Sequence, residues 1–258
     1  MDLKLKDRRA LVTAASRGLG RACAAALAGE GAAVFIVARG QDQLAGTAEE
    51  IGAVGRQALD LARPDAPATA VTAAVDTLGG LDVVVVNAGG PPPGTFTTTP
   101  PEAWEVGHQL TLQSTVRLIR ASLPHLRDSD QPRIVIVTST SVKEPIPNLI
   151  LSNAYRSAVT ATAKTLSTEV ASTGITINCL APGRFATDRV AQIDQANADR
   201  MGKTRQEVEQ DSIATIPAGR YGDPAEFGSV CAFLCSQQAS YLTGQTIILD
   251  GGMTRAIR

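Results

Sequence analysis

The chain has 258 residues, 44% of them hydrophobic, which is enough apolar material for one α/β domain with a substantial core. Its 24 Lys and Arg nearly balance 25 Asp and Glu, and the charges are interspersed, so no basic stripe is offered to nucleic acid or to an anionic membrane surface. Asp2, Lys4, Lys6 and Asp7 stand where a signal peptide needs an apolar run, and no apolar stretch is long enough to span a bilayer, so the expected location is the cytoplasm.

In chain order, a short β-rich run at 10–12 leads through Thr13-Ala14-Ala15-Ser16-Arg17-Gly18-Leu19-Gly20 into a helical pattern over 21–29. A strand at 33–37, a helix at 41–51, a weaker strand at 56–59 and a helix at 67–78 follow. The run at 81–86 is continuously apolar, as expected of a parallel strand covered by helices on both faces. Pro91-Pro92-Pro93-Gly94 and the residues up to Pro101 cannot be regular helix or interior strand and are read as a loop. Helices at 101–126 and 153–172 alternate with strands at 133–138 and 175–180, and a last strand lies at 246–249. This βαβ rhythm predicts one domain over 1–258, a Rossmann-like, doubly wound parallel sheet of about seven strands. Residues 184–217 form a polar insertion of one or two helices. The proline loop and this insertion both follow strand C-termini, where open α/β sheets bind ligands, so the insertion is expected to be a substrate lid rather than a tolerated surface excursion.

The stretch from Thr13 to Gly20 has the context of a phosphate-binding turn, in which glycine lets the backbone approach a pyrophosphate and the helix N-terminus offers free N–H groups. Further segments follow in order: Asp60-Leu61, Asn87-Ala88-Gly89, Pro182-Gly183 with Thr187, Thr243-Gly244-Gln245 and Asp250-Gly251-Gly252. Together they resemble the short-chain dehydrogenase/reductase family over nearly the whole chain, and its 3-oxoacyl-acyl-carrier-protein reductase branch in overall sequence. The resemblance implies a nicotinamide dinucleotide held by Thr13, Ser16, Arg17, Gly18 and Leu19 at the turn, with Ala14 in place of the family's first glycine. It implies Asp60 and Leu61 at the adenine, Asn87 and Gly89 near the ribose and the sheet crevice, and Pro182, Gly183 and Thr187 toward the nicotinamide. Asn87 has a second reading, as a residue that holds adjacent strands together. The family usually pairs its two long central helices between subunits, so a homotetramer is expected, with a dimer as the smaller alternative.

The dinucleotide can be chosen from charge. An NAD enzyme places an acid at the end of the second strand to bind the ribose 2′-OH, whereas a 2′-phosphate calls for arginine. This chain reads Val37-Ala38-Arg39 there, and Arg17 lies in the glycine turn, so NADP(H) is expected; NAD(H) stays open if Arg39 merely stacks on adenine.

Carbonyl reduction needs hydride at carbon and a proton at oxygen. In the resembling family a serine, a tyrosine, a lysine four residues later and an upstream asparagine handle the oxygen and its proton. Ser139 falls in the serine position. Register counted back from Ala163-Lys164-Thr165-Leu166-Ser167-Thr168-Glu169-Val170 puts Ser152 in the tyrosine position and Arg156 in the lysine position, while counting from Trp104 puts Thr111 in the asparagine position. Ser152 and Arg156 share a helix face, and Arg156 is expected to bind the ribose hydroxyls of the cofactor and to stabilise a developing oxyanion; Tyr155 points about 60° away from Ser152 and reaches the site only if the helix starts with a distorted turn. Packing is the other reading of Tyr155. Serine is a far weaker acid than tyrosine, whose reference pKa is about 10, so the acid/base set is a modified one. Three functions are therefore carried forward: an NADP(H)-dependent oxidoreductase of a carbonyl or alcohol, a cofactor-binding sensor or regulatory subunit without redox turnover, and a non-redox isomerase or cyclase that reuses the pocket. A small-molecule substrate is expected in the first and third. Cys23, Cys179, Cys231 and Cys235 sit in apolar contexts and read as buried reduced thiols; with His108 and His125 distant from them, no metal site is expected.

Overall fold

The computed structural model describes residues 1–257. Seven strands, β1 (Arg9–Thr13), β2 (Ala33–Ala38), β3 (Gly55–Ala58), β4 (Val83–Val86), β5 (Arg133–Val137), β6 (Thr176–Pro182) and β7 (Thr246–Leu249), form one sheet in the order β3-β2-β1-β4-β5-β6-β7. Every pairing is parallel, with Leu11 opposite both Phe35 and Val84, so the fold is Rossmann-like and doubly wound. Strand order reverses between β1 and β4, and the crevice beyond the C-terminal ends of these strands is the natural ligand position.

Period-two alternation sends neighbouring residues into two cores. Val12, Ile36, Val83 and Val135 pack on one face with Leu27 of α1 (Gly18–Gly29), Leu44 of α2 (Gln41–Ile51) and Phe227 of α9 (Pro224–Cys235). Leu11, Phe35, Val84 and Ile134 pack on the other with Val71 of α3 (Ala66–Leu78), Leu118 of α5 (Ser114–Leu126) and Val159 of α6 (Ile150–Val170). Each fully buried side chain of this size contributes about 1.5–3 kcal/mol, which is why the strands read as unbroken apolar runs. α1 and α9 approach closely because Gly228 has no side chain: a Cβ there would lie 2.4 Å from the Ala22 carbonyl oxygen. All four cysteines are free and buried. No helix among the described residues is long and apolar enough to cross a membrane.

Several boundaries differ from the sequence reading, most by one or two residues. The helix expected over 101–126 starts as α4 (Pro101–Gly107), widens into a π-helical turn over His108–Gln113 and continues as α5, a change of hydrogen-bond register that side-chain periodicity does not reveal. α1 starts at Gly18 and α6 at Ile150, three residues earlier than expected in each case. The strand expected to start at 81 begins at Val83, although the Asp82 N–H and carbonyl already bond the Arg9 carbonyl and the Arg133 N–H, at 2.9 and 2.8 Å. The insertion at 184–217 contains two helices, α7 (Asp188–Met201) and α8 (Arg205–Ala214).

Candidate active site

A cleft of about 940 Å³ runs along the C-terminal ends of the strands, from Arg39 and Asp60 at one end to Ser139, Ser152 and Arg156 at the other. It takes in Ser16, Arg17, Gly18, Leu19, Leu61, Asn87, Gly89, Pro182, Gly183 and Thr187.

At the first end the wall is largely backbone. Gly18 sits at φ +55°, in the left-handed region that glycine enters without penalty, and Gly20 is packed so closely that a Cβ would lie 2.3 Å from the Ala14 carbonyl oxygen. Ala14, in the family's glycine position, also adopts a positive φ, 47°, at a cost of about 1–2 kcal/mol for a residue with a Cβ. The N-cap residue of α1, Arg17, makes no side-chain cap, so the first-turn N–H groups stay free to meet an anion at the positive end of the helix. Arg39 follows β2 at the rim with no acid on that strand end, and α2 begins just beyond it on an uncapped Gly40. Asp60 folds back on its own loop, accepting from the Ala62 N–H at 3.1 Å.

Thr13 is fully buried and does not line the cleft. Its hydroxyl donates to the Asn87 carbonyl at 2.8 Å and accepts from the Asn87 N–H at 2.9 Å, while Asn87 Nδ2 donates to the Ala14 carbonyl at 3.3 Å. Asn87 thus fastens β4 to the glycine turn as well as facing the cleft.

At the other end the wall is side chains. Ser139 caps a 3₁₀ turn over Thr140–Val142, its Oγ accepting from the Ser141 N–H at 3.1 Å. With that lone pair occupied, the hydroxyl proton is free to point into the cleft. Arg156 lies buried one turn along α6 from Ser152, its guanidinium donating to the Val137 carbonyl at 2.8 Å and the Ala88 carbonyl at 3.4 Å. Burial, and then the charge of Arg189, push its pKa down to about 10, so it remains a cation at neutral pH.

Two expected catalytic positions, Tyr155 and Thr111, do not line the cleft. Tyr155 does not reach the cleft: α6 is regular from Ile150, and the phenol turns to α4, donating to the Trp104 carbonyl at 2.9 Å beside the Trp104 ring. Burial and the charge of Glu105 raise its pKa, the opposite of what an acid at neutral pH requires. Thr111 is buried within the π-helical turn with its hydroxyl unpartnered, and Leu110 and Ser114 face the cleft in its stead.

Beside the expected Thr187, the segment after β6 brings in Arg189, Asp194 and Tyr221, which sequence reasoning did not single out. Arg184 donates to Asp194 Oδ1 at 2.6 Å, and Tyr221 Oη donates to Asp194 Oδ2 at 2.7 Å, which ties the start of the insertion to α7. Thr187 caps α7 by accepting from the Val190 N–H at 3.4 Å. Arg189 reaches back across the cleft to the Pro91 carbonyl at 3.3 Å. Its place two residues beyond Thr187 was the available signal.

The sequence profile described as Enoyl-(Acyl carrier protein) reductase matches residues 13–254. The 3-oxoacyl-acyl-carrier-protein reductase FabG of Vibrio cholerae is 34% identical over 254 residues, 97% of this chain and 99% of that protein. The chain belongs to the short-chain dehydrogenase/reductase family. Among solved members of similar architecture, L-sorbose reductase from Gluconobacter frateurii, complexed with NADPH and L-sorbose, superposes with a TM-score of 0.93 at 29% identity, covering 100% of both chains. Actinorhodin polyketide ketoreductase with NADPH gives 0.92 at 29% identity over 96% of this chain and 98% of that one.

Proposed function

We propose that this protein is an NADP(H)-dependent oxidoreductase that interconverts a carbonyl compound and its alcohol by hydride transfer, with a modified acid/base set. The observation that carries the reading is one continuous cleft joining an anion-receptive glycine turn to Ser139, Ser152 and Arg156. NADP(H) is favoured over NAD(H) by Arg39 and Arg17 and by the absence of an acid at the end of β2. The NADPH complexes of two structurally similar reductases support the same choice.

The dinucleotide would rest its pyrophosphate on the first turn of α1, its 2′-phosphate beside Arg39 and Arg17, and its nicotinamide toward Pro182, Gly183 and Thr187. When bound, it supplies the hydride. The chain's own residues must then manage the substrate oxygen. Ser139, held by the Ser141 N–H, donates its hydroxyl proton in a hydrogen bond to that oxygen. Arg156 offers positive charge to an oxyanion from a dry position, where such an interaction is stronger than in water. Ser152, one turn before Arg156, relays the proton from water rather than ionising itself.

A panel of ketones and alcohols, followed by nicotinamide absorbance with NADPH and with NADH, tests the reading. NADPH-dependent turnover that falls in Ser139→Ala is the expected result. Tight NADPH binding without turnover of any compound would instead favour the second reading, a cofactor-binding regulatory protein, which the presence of serine and arginine in the tyrosine and lysine positions supports. Product formed with no net change in NADPH would point to an isomerase or cyclase. The reading also includes α7 and α8 as a substrate lid and a homotetramer built through α5 and α6; a solution mass equal to one chain would remove the latter.

A further inference from the structure

Two cations at the reaction end of the cleft have no counter-charge among the described residues. Arg156 is buried with carbonyl partners only, those of Val137 and Ala88. Carbonyl dipoles satisfy its N–H groups but supply no negative charge, and a buried charge without one is costly. Arg189 grips the same wall, donating to the Pro91 carbonyl at 3.3 Å and lying over Gly90, where a Cβ would come within 3.2 Å of its guanidinium. The anchoring residues Ala88 and Pro91 are three apart, so at most roughly 11 Å of chain separates them. The two guanidinium groups are close enough for the charge of Arg189 to depress the pKa of Arg156.

The acids that line the cleft are engaged elsewhere. Asp60 lies at the far end and binds its own loop. Asp188 is turned toward Arg17, 3.9 Å away, and is largely exposed. Glu144 accepts from the Arg255 N–H at 3.3 Å. Asp194, the buried acid of the insertion, holds Arg184 rather than Arg189. Among the described residues this end of the cleft therefore carries uncompensated positive charge, and guanidinium groups match a carboxylate in charge and in paired donors.

We propose that the substrate is an oxo acid or the corresponding hydroxy acid, its carboxylate bound by Arg189 while Arg156 faces the reacting oxygen. Arg189 is then the specificity-determining residue, and the inference rests on the carbonyl–alcohol reading given above. Relief of the repulsion between the two arginines adds to the binding of such a substrate, whereas a neutral ketone leaves the repulsion in place.

The test compares short 2-oxo and 3-oxo acids with their methyl esters in NADPH-consumption assays of the wild type and R189M. The acid is expected to exceed its ester by at least about tenfold in kcat/KM, the size of one charge-assisted hydrogen bond. R189M should bring that ratio toward one, mainly through KM for the acid, and R189K should recover part of it. Equal use of acid and ester by the wild type would overturn the proposal. So would a proportionate fall for both in R189M, or a matching loss of NADPH affinity, which would assign Arg189 to the dinucleotide. If no compound consumes NADPH, the carbonyl–alcohol reading fails, and calorimetric titration of the NADP⁺ complex with acetoacetate and malonate decides the carboxylate site separately. Binding that is lost in R189M supports the site, and no binding rejects it.

Discussion

Around Gly18 and Gly20 the wall of the cleft is backbone, whereas around Ser139, Ser152 and Arg156 it is side chains mounted on the turn after β5 and on α6. The difference decides what each end can tolerate. A backbone wall is altered only by adding atoms to it, and at Gly20 there is no room for even one carbon. A side-chain wall can exchange its groups while the scaffold stands, because Arg156 is seated by the carbonyls of Val137 and Ala88, which any sequence would supply. The first end thus admits no added atoms, while the second is free to vary its side chains on a constant frame.

Removing the most exposed proton donor of the variable end should produce the largest effect. Ser139→Ala is expected to lower kcat by about 10²- to 10³-fold while NADPH affinity, read by fluorescence titration, changes less than about twofold. Parallel losses in both would erase the division between the ends. At the constant end, Arg39→Asp should weaken NADPH binding by about 10- to 100-fold, the range of a charge-assisted hydrogen bond, and improve the relative affinity for NADH. Unchanged selectivity would mean that Arg39 only stacks on adenine.

Two smaller effects fall outside both ends. Burial raises the Asp82 carboxyl, but hydrogen bonds from Arg9 and Ser129, with the Arg9 charge, outweigh it and hold the group at about 2. A carboxyl held below its unfolded value contributes stability that is complete above about pH 4 and is lost as pH falls through 2. Asp82→Asn should therefore cost about 1.5–3 kcal/mol at pH 7 in denaturant unfolding, and the difference from wild type should shrink in that acid window. Tyr155→Phe, which removes the bond to the Trp104 carbonyl, should cost only about 0.5–1.5 kcal/mol and leave turnover within about threefold. A hundredfold loss of turnover would return Tyr155 to the reaction.

The sequence made the sheet legible because its strands are buried on both faces and written as unbroken runs such as Val83 to Val86. It made the glycine turn legible for a related reason: positive φ and close approach select glycine, and glycine can be seen in a sequence. The direction of a helical side chain is less visible. Ser152 and Arg156 were placed by register alone, and helical geometry then separated Tyr155 from them. Thr111 escaped the same logic because a π-helical turn shifts the face its helix presents, and nothing in His108–Gln113 announces that turn. Arg189 and the Arg184–Asp194–Tyr221 cluster depend on where a long insertion folds back, and their partners are distant in sequence.

The tether formed by Asn87 has a mechanical consequence. Its side chain grips the Ala14 carbonyl, its backbone grips Thr13, and the chain that leaves it is pinned by Arg156 at Ala88 and by Arg189 at Pro91. The five residues Asn87 to Pro91 are thus held to the glycine turn at Asn87, by Arg156 at Ala88 and by Arg189 at Pro91. One short stretch of backbone thus borders both the glycine turn and the two guanidinium groups.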